Sequence, residues 1–532
     1  MSVFNAYVIS LSKYVNTGIV AVFTILAWLG VAVDSERVRH TISIFQKLLL
    51  TAFLINANMT IAWVVRGRNG RLICLLCAME ILFMLAFMVL YRIVHERANM
   101  LFFNNLCMLL SIGFVMITRI AYYGSWDEIA YKANEPIKQF VMAAAGLMAM
   151  LIIPFFRRFF DSLRHLWLLF AVVGIVMLGG VLLLGGLTYG ANITFTIAGL
   201  TFQPSEFVKI LYLLMLAGIL STEVTMEKAV CATILSLIHV GILVLSTDLG
   251  SALIFFIVFL MMLFLATGRW RVIAAGAFLG GVGALVLYYR FEHFKERVLI
   301  WRDPFMKEII ENKGWQIAQS LFAISYGGPW GTGLTQGSPH SIPKVETDVL
   351  FAAICEEMGL VFSVCLLLIC LNCFIRIIIL SAGYSNRFFQ LFTYGAAVCY
   401  IFQTFLTVGG QTKFIPLTGV TLPLVSYGGS SILSTLIMMG IVEMIFILHN
   451  ERTAIFEERY EREHPLDGGL TDQMYDSEIV PDMPEDPGYY RENGTLTGMY
   501  SRDMREDPYY SDNGMPDNFP VNGISEEGIF DD

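Results

Sequence analysis

The chain has 532 residues, 56% of them hydrophobic and only 15% charged, and its mean hydropathy is +0.65. Soluble domains carry about a quarter charged residues, so a water-soluble globular fold is excluded and a polytopic membrane protein is expected. With a net charge of −9, no nucleic-acid partner is expected.

The apolar residues fall in blocks of roughly 18 to 23, the length a helix needs to cross about 30 Å of hydrocarbon. A membrane-spanning backbone must satisfy its own hydrogen bonds, so the blocks are read as helices. About thirteen spans follow in chain order, near 17–33, 46–65, 72–94, 100–122, 139–157, 166–186, 205–221, 229–246, 249–267, 271–289, 349–380, 388–408 and 430–449. The first has no A-x-A-like cleavage site behind it and is read as a retained span rather than a signal peptide. Beyond His449 the composition turns to Glu, Asp, Pro, Gly, Asn and Tyr, starting with Glu457, Glu458, Glu461 and Glu463. Residues 451–532 are therefore expected to be a disordered acidic tail.

Basic residues near the span ends set the orientation. Arg157, Arg158 and Arg164 flank one connection, Arg269 and Arg271 another, and Arg376 and Arg387 a third. Alternation puts all three on one side, the cytoplasm, together with the tail. The connections 187–204, 290–348 and 409–429 then face outward. The basic connection Arg66-Gly-Arg-Asn-Gly-Arg71 falls outside against the rule. Either an early span is miscounted or the first hundred residues break the rule.

Nine cysteines are scattered through the spans. Cys74 and Cys77 form a C-x-x-C inside an apolar helix, where free Cys behaves as a small hydrophobe, and no disulfide framework is expected.

Ionisable groups at membrane depth are costly and usually paired or functional. Glu206 and Lys209 are three residues apart on one helix face after Gln203-Pro204-Ser205. They read either as a structural ion pair or as a cation aimed at a substrate phosphate. Asp248 opens another span, where a carboxylate suits the helix N-terminus. Glu356 and Glu357 lie a few turns inside an apolar helix behind Thr347-Asp348, which points to a functional or core-network role.

The 290–348 connection is the richest in chemistry. It holds Arg297, Trp301, Asp303-Pro304, Glu308, Glu311, Gly314-Trp315-Gln316, Gln319-Ser320 and the glycine-rich run Tyr326 to Gly333. Carboxylates beside Arg and amides at a membrane surface could activate a hydroxyl near a pyrophosphate. The 416–431 stretch is apolar yet broken by Pro and Gly, as backbone lining a cavity can be. It ends in Ser426-Tyr427-Gly428-Gly429-Ser430-Ser431. A lid without chemistry is the plainer reading of both connections.

Five motifs occur in order: Gln-Pro-Ser-Glu with Lys209, Asp248-Leu-Gly, Gly-Trp-Gln-x-x-Gln-Ser, Thr-Asp-x-x-x-Ala-x-x-x-Glu-Glu-x-Gly, and Leu-Pro-x-x-Ser-Tyr-Gly-Gly-Ser-Ser. Together they resemble the SEDS proteins (shape, elongation, division and sporulation), the RodA, FtsW and SpoVE group, over roughly residues 100–450. The resemblance implies an all-α membrane core of about ten helices that polymerises lipid II outside the bacterial cytoplasmic membrane. It also implies a class B penicillin-binding protein, a transpeptidase, as partner. The reaction would be an inverting glycosyl transfer. A base takes the proton of an acceptor 4-hydroxyl, which attacks the donor's anomeric carbon as undecaprenyl pyrophosphate leaves. A divalent cation (Mg or Mn) or the cations Arg297 and Lys209 would offset the leaving charge. Substrate contacts are expected from these two and from Gln203, Glu206, Gln316, Gln319, Ser320, Asp348, Glu356, Glu357, Ser426, Tyr427, Gly428, Gly429 and Ser430.

Three features depart from the family pattern. Gly190-Ala191 is followed by Asn192-Ile-Thr-Phe195 where the family places Arg and Trp. The family's catalytic Asp precedes the Gly-aromatic-Gln motif; here the candidates are Asp303 and Glu308. The first 97 residues form extra helices, with the core at 98–450. Two other readings stand beside the polymerase: a flippase for a lipid-linked precursor, and a weakly catalytic scaffold for a transpeptidase. Only the polymerase requires a loop carboxylate.

Overall fold

The computed structural model describes residues 3–33, 35–122, 134–184, 186–188, 191–197, 200–306 and 314–463. The chain is built almost wholly of helices: α1 Val3–Ala32, α2 Glu36–Val65, α3 Gly67–Val94, α4 Met100–Ala121, α5 Asn134–Ile152, the short α6 Arg157–Phe160, α7 Trp167–Leu184, α8 Pro204–Leu220, α9 Met226–Leu245, α10 Leu249–Thr267, α11 Trp270–Arg290, α12 Glu292–Arg302, α13 Trp315–Gly327, α14 Leu350–Ala382, α15 Arg387–Gln411 and α16 Gly429–Glu463. Among the described residues, eleven helical segments are long and apolar enough to span a membrane; one of these, Asn134–Leu183, contains the two long helices α5 and α7 with the short α6 between them. The 17-residue α8 falls just short of that length. Separating α5 from α7 and admitting α8 accounts for thirteen spans among the described residues.

The spans outrun their apolar blocks. α1 starts well before residue 17, because Ser12, Lys13 and Asn16 interrupt the hydropathy but lie on a packed face. α16 carries on to Glu463, so the first part of the acidic segment is helical, and the rest of the expected tail lies outside the described residues. A small antiparallel sheet between α7 and α8, β1 Gly186–Thr188, β2 Ala191–Ile197 and β3 Leu200–Phe202, adds to the helical architecture. Its central strand, Asn-Ile-Thr-Phe-Thr-Ile, alternates polar and apolar residues with the period of a strand.

α4 is the centre of the bundle, and every one of its residues from Met100 to Ala121 is buried. It packs against α1, α2, α3, α5 and α14. The outer ring pairs α5 with α16, α14 with α15, α7 with α8 and α9 with α10. At one end of the bundle lie Arg97 bonded to Asn450, Arg157 paired with Glu451 at 2.9 Å, and Asn386 bonded to Asp161. At the other end Asn56 and Thr60 of α2 bond to Ser12 of α1, and Lys13 reaches the 328–338 connection. The first two helices therefore pack antiparallel, and the basic turn Arg66–Arg71 lies at the same end of the bundle as the 290–348 connection.

α14 is interrupted at Gly359, whose φ of 88° and ψ of 171° belong to a region open essentially to glycine alone. The 328–333 segment fills the break. Thr332 N donates to Glu356 O and Gly333 N to Glu357 O, while Leu360 N and Val361 N donate to Gly328 O and Pro329 O. The loop thus replaces the helical hydrogen bonds that the break would orphan. A Cβ on Gly359 would run into the Gly331 backbone. Gly359→Ala should therefore cost about 2–3 kcal/mol or more. Thermal unfolding in detergent reads this as a lowered midpoint, and an unchanged midpoint would refute the stitched break.

Candidate active site

Five elements converge at the end of the bundle that carries the 290–348 connection. The first is the start of α8. Gln203 precedes Pro204, whose fixed φ and missing N–H suit a helix start, so Gln203 takes the cap position. The second is the start of α10, where Asp248 Oδ1 accepts from Ser251 N at 3.1 Å and caps the helix. Its other oxygen, Oδ2, accepts from Ser205 Oγ at 3.1 Å and Gln203 Nε2 at 3.5 Å. Gln203 N donates to Ser430 Oγ at 3.1 Å, which ties both helices to the start of α16.

The third and fourth elements are α12 and the 416–431 segment. Arg297 Nη1 donates to Leu417 O and Thr418 O at 3.3 and 3.2 Å, and Trp301 Nε1 donates to Lys413 O at 3.1 Å. These two side chains, four residues apart, pin one face of α12 onto the segment. Burial lowers the Arg297 pKa from its usual value, against the opposing pull of Asp248 and Asp348. Its Nε and Nη2 make no hydrogen bond among the described residues. The fifth element is the approach to α14. Burial raises the Asp348 carboxyl, while Lys344, the Thr347 hydroxyl and Arg297 act to lower it and Glu346 raises it further. Arg297 is thus half-buried against the 417–418 backbone, within electrostatic reach of Asp248 and Asp348.

Asp303 lies just past the C-terminus of α12. It is exposed, and its Oδ1 accepts from Phe305 N at 3.1 Å, which fixes the turn at Pro304. Glu308 and Glu311 lie outside the described residues.

Other expected site residues are placed deeper. Lys209 Nζ stands 2.7 Å from Glu206 Oε2 and 2.8 Å from Gln403 Oε1, and Ser434 Oγ donates to Glu206 Oε2. Lys209 and Glu206 are both buried. The pair joins α8 to α15 and α16, and the geometry favours the structural ion pair over a cation aimed at phosphate. Glu357 is fully buried and takes a bidentate grip from Arg119, at 2.9 and 3.1 Å from Nε and 2.7 Å from Nη2. Gly337 N donates to Glu357 Oε1 and Ser338 N to Glu356 Oε1. Both acids therefore bind the 337–338 backbone and belong to a core network. Ser320 and Ser426 are buried, the first bonded to Gln316 O and the second to Leu422 N. Gln316 donates to Pro343 O, and Gln319 beside it on α13 is half-buried. Tyr427 N donates to Glu346 O at 2.8 Å, which ties the turn before Gly428 and Gly429 to the approach to α14.

Sequence reading missed Arg119, Gln403 and Ser434. A lone arginine in the span Met100–Ala121 was a signal, since an intramembrane cation needs a partner. Gln403 and Ser434 carried none. Among the described residues, no group of three His, Cys, Asp or Glu side chains is placed to hold a metal ion.

The arrangement meets known proteins at this point. The family model described as "Cell cycle protein", covering FtsW, RodA and SpoVE, matches residues 98–451. The chain belongs to this family. Peptidoglycan glycosyltransferase RodA of Mycobacterium tuberculosis is 31% identical over 388 residues, covering 68% of this chain and 82% of the relative. Stage V sporulation protein E of Bacillus subtilis is 29% identical over 357 residues, covering 63% and 93%. A solved chain from a peptidoglycan synthase complex, described as coordinating polymerization and crosslinking, is 27% identical with a TM-score of 0.55. That match covers 66% of this chain and 97% of the other. The family core begins at α4, and α1–α3 precede the matched segment.

Proposed function

We propose that this chain polymerises lipid II, with the polar surface around Arg297 as its reaction site. It is a peptidoglycan glycosyltransferase of the bacterial cytoplasmic membrane, and the observation that carries this is the 31% identity to a relative of that name over 388 residues. The relatives' names give no support to the flippase or scaffold readings.

Asp303 serves as the base. It extends from a helix pinned by Arg297 and Trp301, is open to solvent, and keeps Oδ2 without a hydrogen bond among the described residues. The carboxylate takes the proton of the acceptor 4-hydroxyl as that oxygen bonds to the donor's anomeric carbon. The bond from that carbon to the pyrophosphate breaks, and its electron pair leaves with undecaprenyl pyrophosphate. Arg297, with two nitrogens to spare, meets the charge that develops there. Gln203, Asp248 and Ser430 fix the helix ends behind it. Residues 98–450 form the catalytic core, the 290–348 connection faces outward, and the acidic tail faces the cytoplasm. A class B penicillin-binding protein supplies the crosslinking activity.

The experiment is glycan polymerisation from labelled lipid II by the purified full chain, with and without a candidate transpeptidase. Long glycan strands are expected. No product in the presence of the partner would overturn the assignment.

A further inference from the structure

α1 runs beside both halves of the broken helix α14. At the outer end Lys13 Nζ donates to Gly331 O at 2.9 Å, and the Tyr14 ring packs on Trp330 with centroids 5.6 Å apart. Ile9 fills the space over Gly333, where a Cβ would meet its side chain at 2.8 Å. Past the break, Thr24 lies 3.5 Å from Cys365 O. Further along, Ala27 O accepts from Asn372 Nδ2 at 3.1 Å and from Arg376 Nη2 at 3.3 Å. Between these points Val20 and Phe23 are fully buried.

α1 is a continuous helix of 30 residues, whereas α14 changes direction at Gly359. The angle between the halves of α14 is set by one glycine and four loop hydrogen bonds, a joint weaker than a continuous helix. The straight helix touches the loop that fills the joint and then the inner half of α14. A helix that only met lipid would have no use for a lysine and a tyrosine committed to a loop backbone. We infer that α1 is a splint across the Gly359 break. It holds the 328–338 segment and, through it, the outer half of α14 with Asp348 and α13 in the geometry the reaction site needs. Lys13 and Tyr14 are then positioning residues that touch no substrate. This role rests on the polymerase reading, and it gives α1, which lies outside the family core, a place in the reaction.

The test uses the full chain in nanodiscs with Lys13→Met, Tyr14→Ala, the double variant and the conservative Lys13→Arg. Lys13→Met keeps the apolar stem, and Tyr14 is half exposed, so the fold should survive both. Backbone hydrogen exchange across 328–338 and 350–358 should rise about tenfold in the double variant, with α4 and α16 unchanged. Turnover on lipid II should fall about tenfold at nearly constant KM, and Lys13→Arg should restore both signals. Unchanged exchange in the double variant would overturn the splint, and so would raised exchange with full turnover. If the double variant does not fold, Lys13→Met alone decides on the same readings. Should the wild type make no glycan, the exchange arm still decides whether α1 braces the loop, while the polymerase reading fails separately.

Discussion

Asp303→Asn is expected to lower glycan polymerisation by two to four orders of magnitude, roughly the contribution of a positioned general base. The substitution is clean for a structural reason. Asp303 Oδ1 accepts from Phe305 N, and an asparagine carbonyl can accept the same bond, so the turn at Pro304 survives while the charge is lost. The anchors of α12 are on other residues, Arg297 and Trp301, and they are untouched. A fall in activity therefore reports proton transfer rather than misfolding. Glu308→Gln is the control, since Glu308 is the other carboxylate that the family pattern leaves as a candidate. It should keep most of the activity. The reverse pattern, an active Asp303→Asn variant beside an inactive Glu308→Gln variant, would move the base to Glu308 and take the role away from Asp303.

Much of this site could be read from sequence because its signals were local. A carboxylate opening an apolar block, as at Asp248, predicts a cap, and the cap is there. The spans were legible because hydrocarbon thickness fixes helix length: eleven segments among the described residues are long and apolar enough to span, and one of them holds both α5 and α7. Their ends were not, since a polar face packed on another helix looks like a boundary; Ser12, Lys13 and Asn16 hid the first half of α1 in this way. The partners of buried charges were hidden for a different reason. Glu357 meets Arg119 across 238 positions of sequence, and no spacing rule reaches that far. Lys209 read equally well as a ligand for phosphate, and only the distances to Glu206 and Gln403 favour a structural pair. The break at Gly359 had no signature either, because a glycine inside an apolar run is tolerated in an unbroken helix.

The Arg119–Glu357 pair makes the largest stability prediction. Both side chains are essentially dehydrated, 3% and 0% exposed, so neither charge has water to fall back on. Glu357→Ala removes the carboxylate from a buried guanidinium and strips the acceptor from Gly337 N. A loss of about 3–5 kcal/mol is expected, the range for breaking one side of a buried ion pair. Glu357→Gln keeps an acceptor for Gly337 but not the charge, and should fall between wild type and Ala. The double variant Arg119→Met with Glu357→Leu is the informative one. If the pair chiefly offsets its own desolvation, apolar replacements of similar volume should recover most of the loss, because no unpaired charge remains. Thermal unfolding of all variants in one detergent closes the cycle. A double variant no more stable than Glu357→Ala would mean that the carboxylate's bond to the 337–338 backbone, and not the neutralisation of Arg119, is what holds the loop in the break of α14.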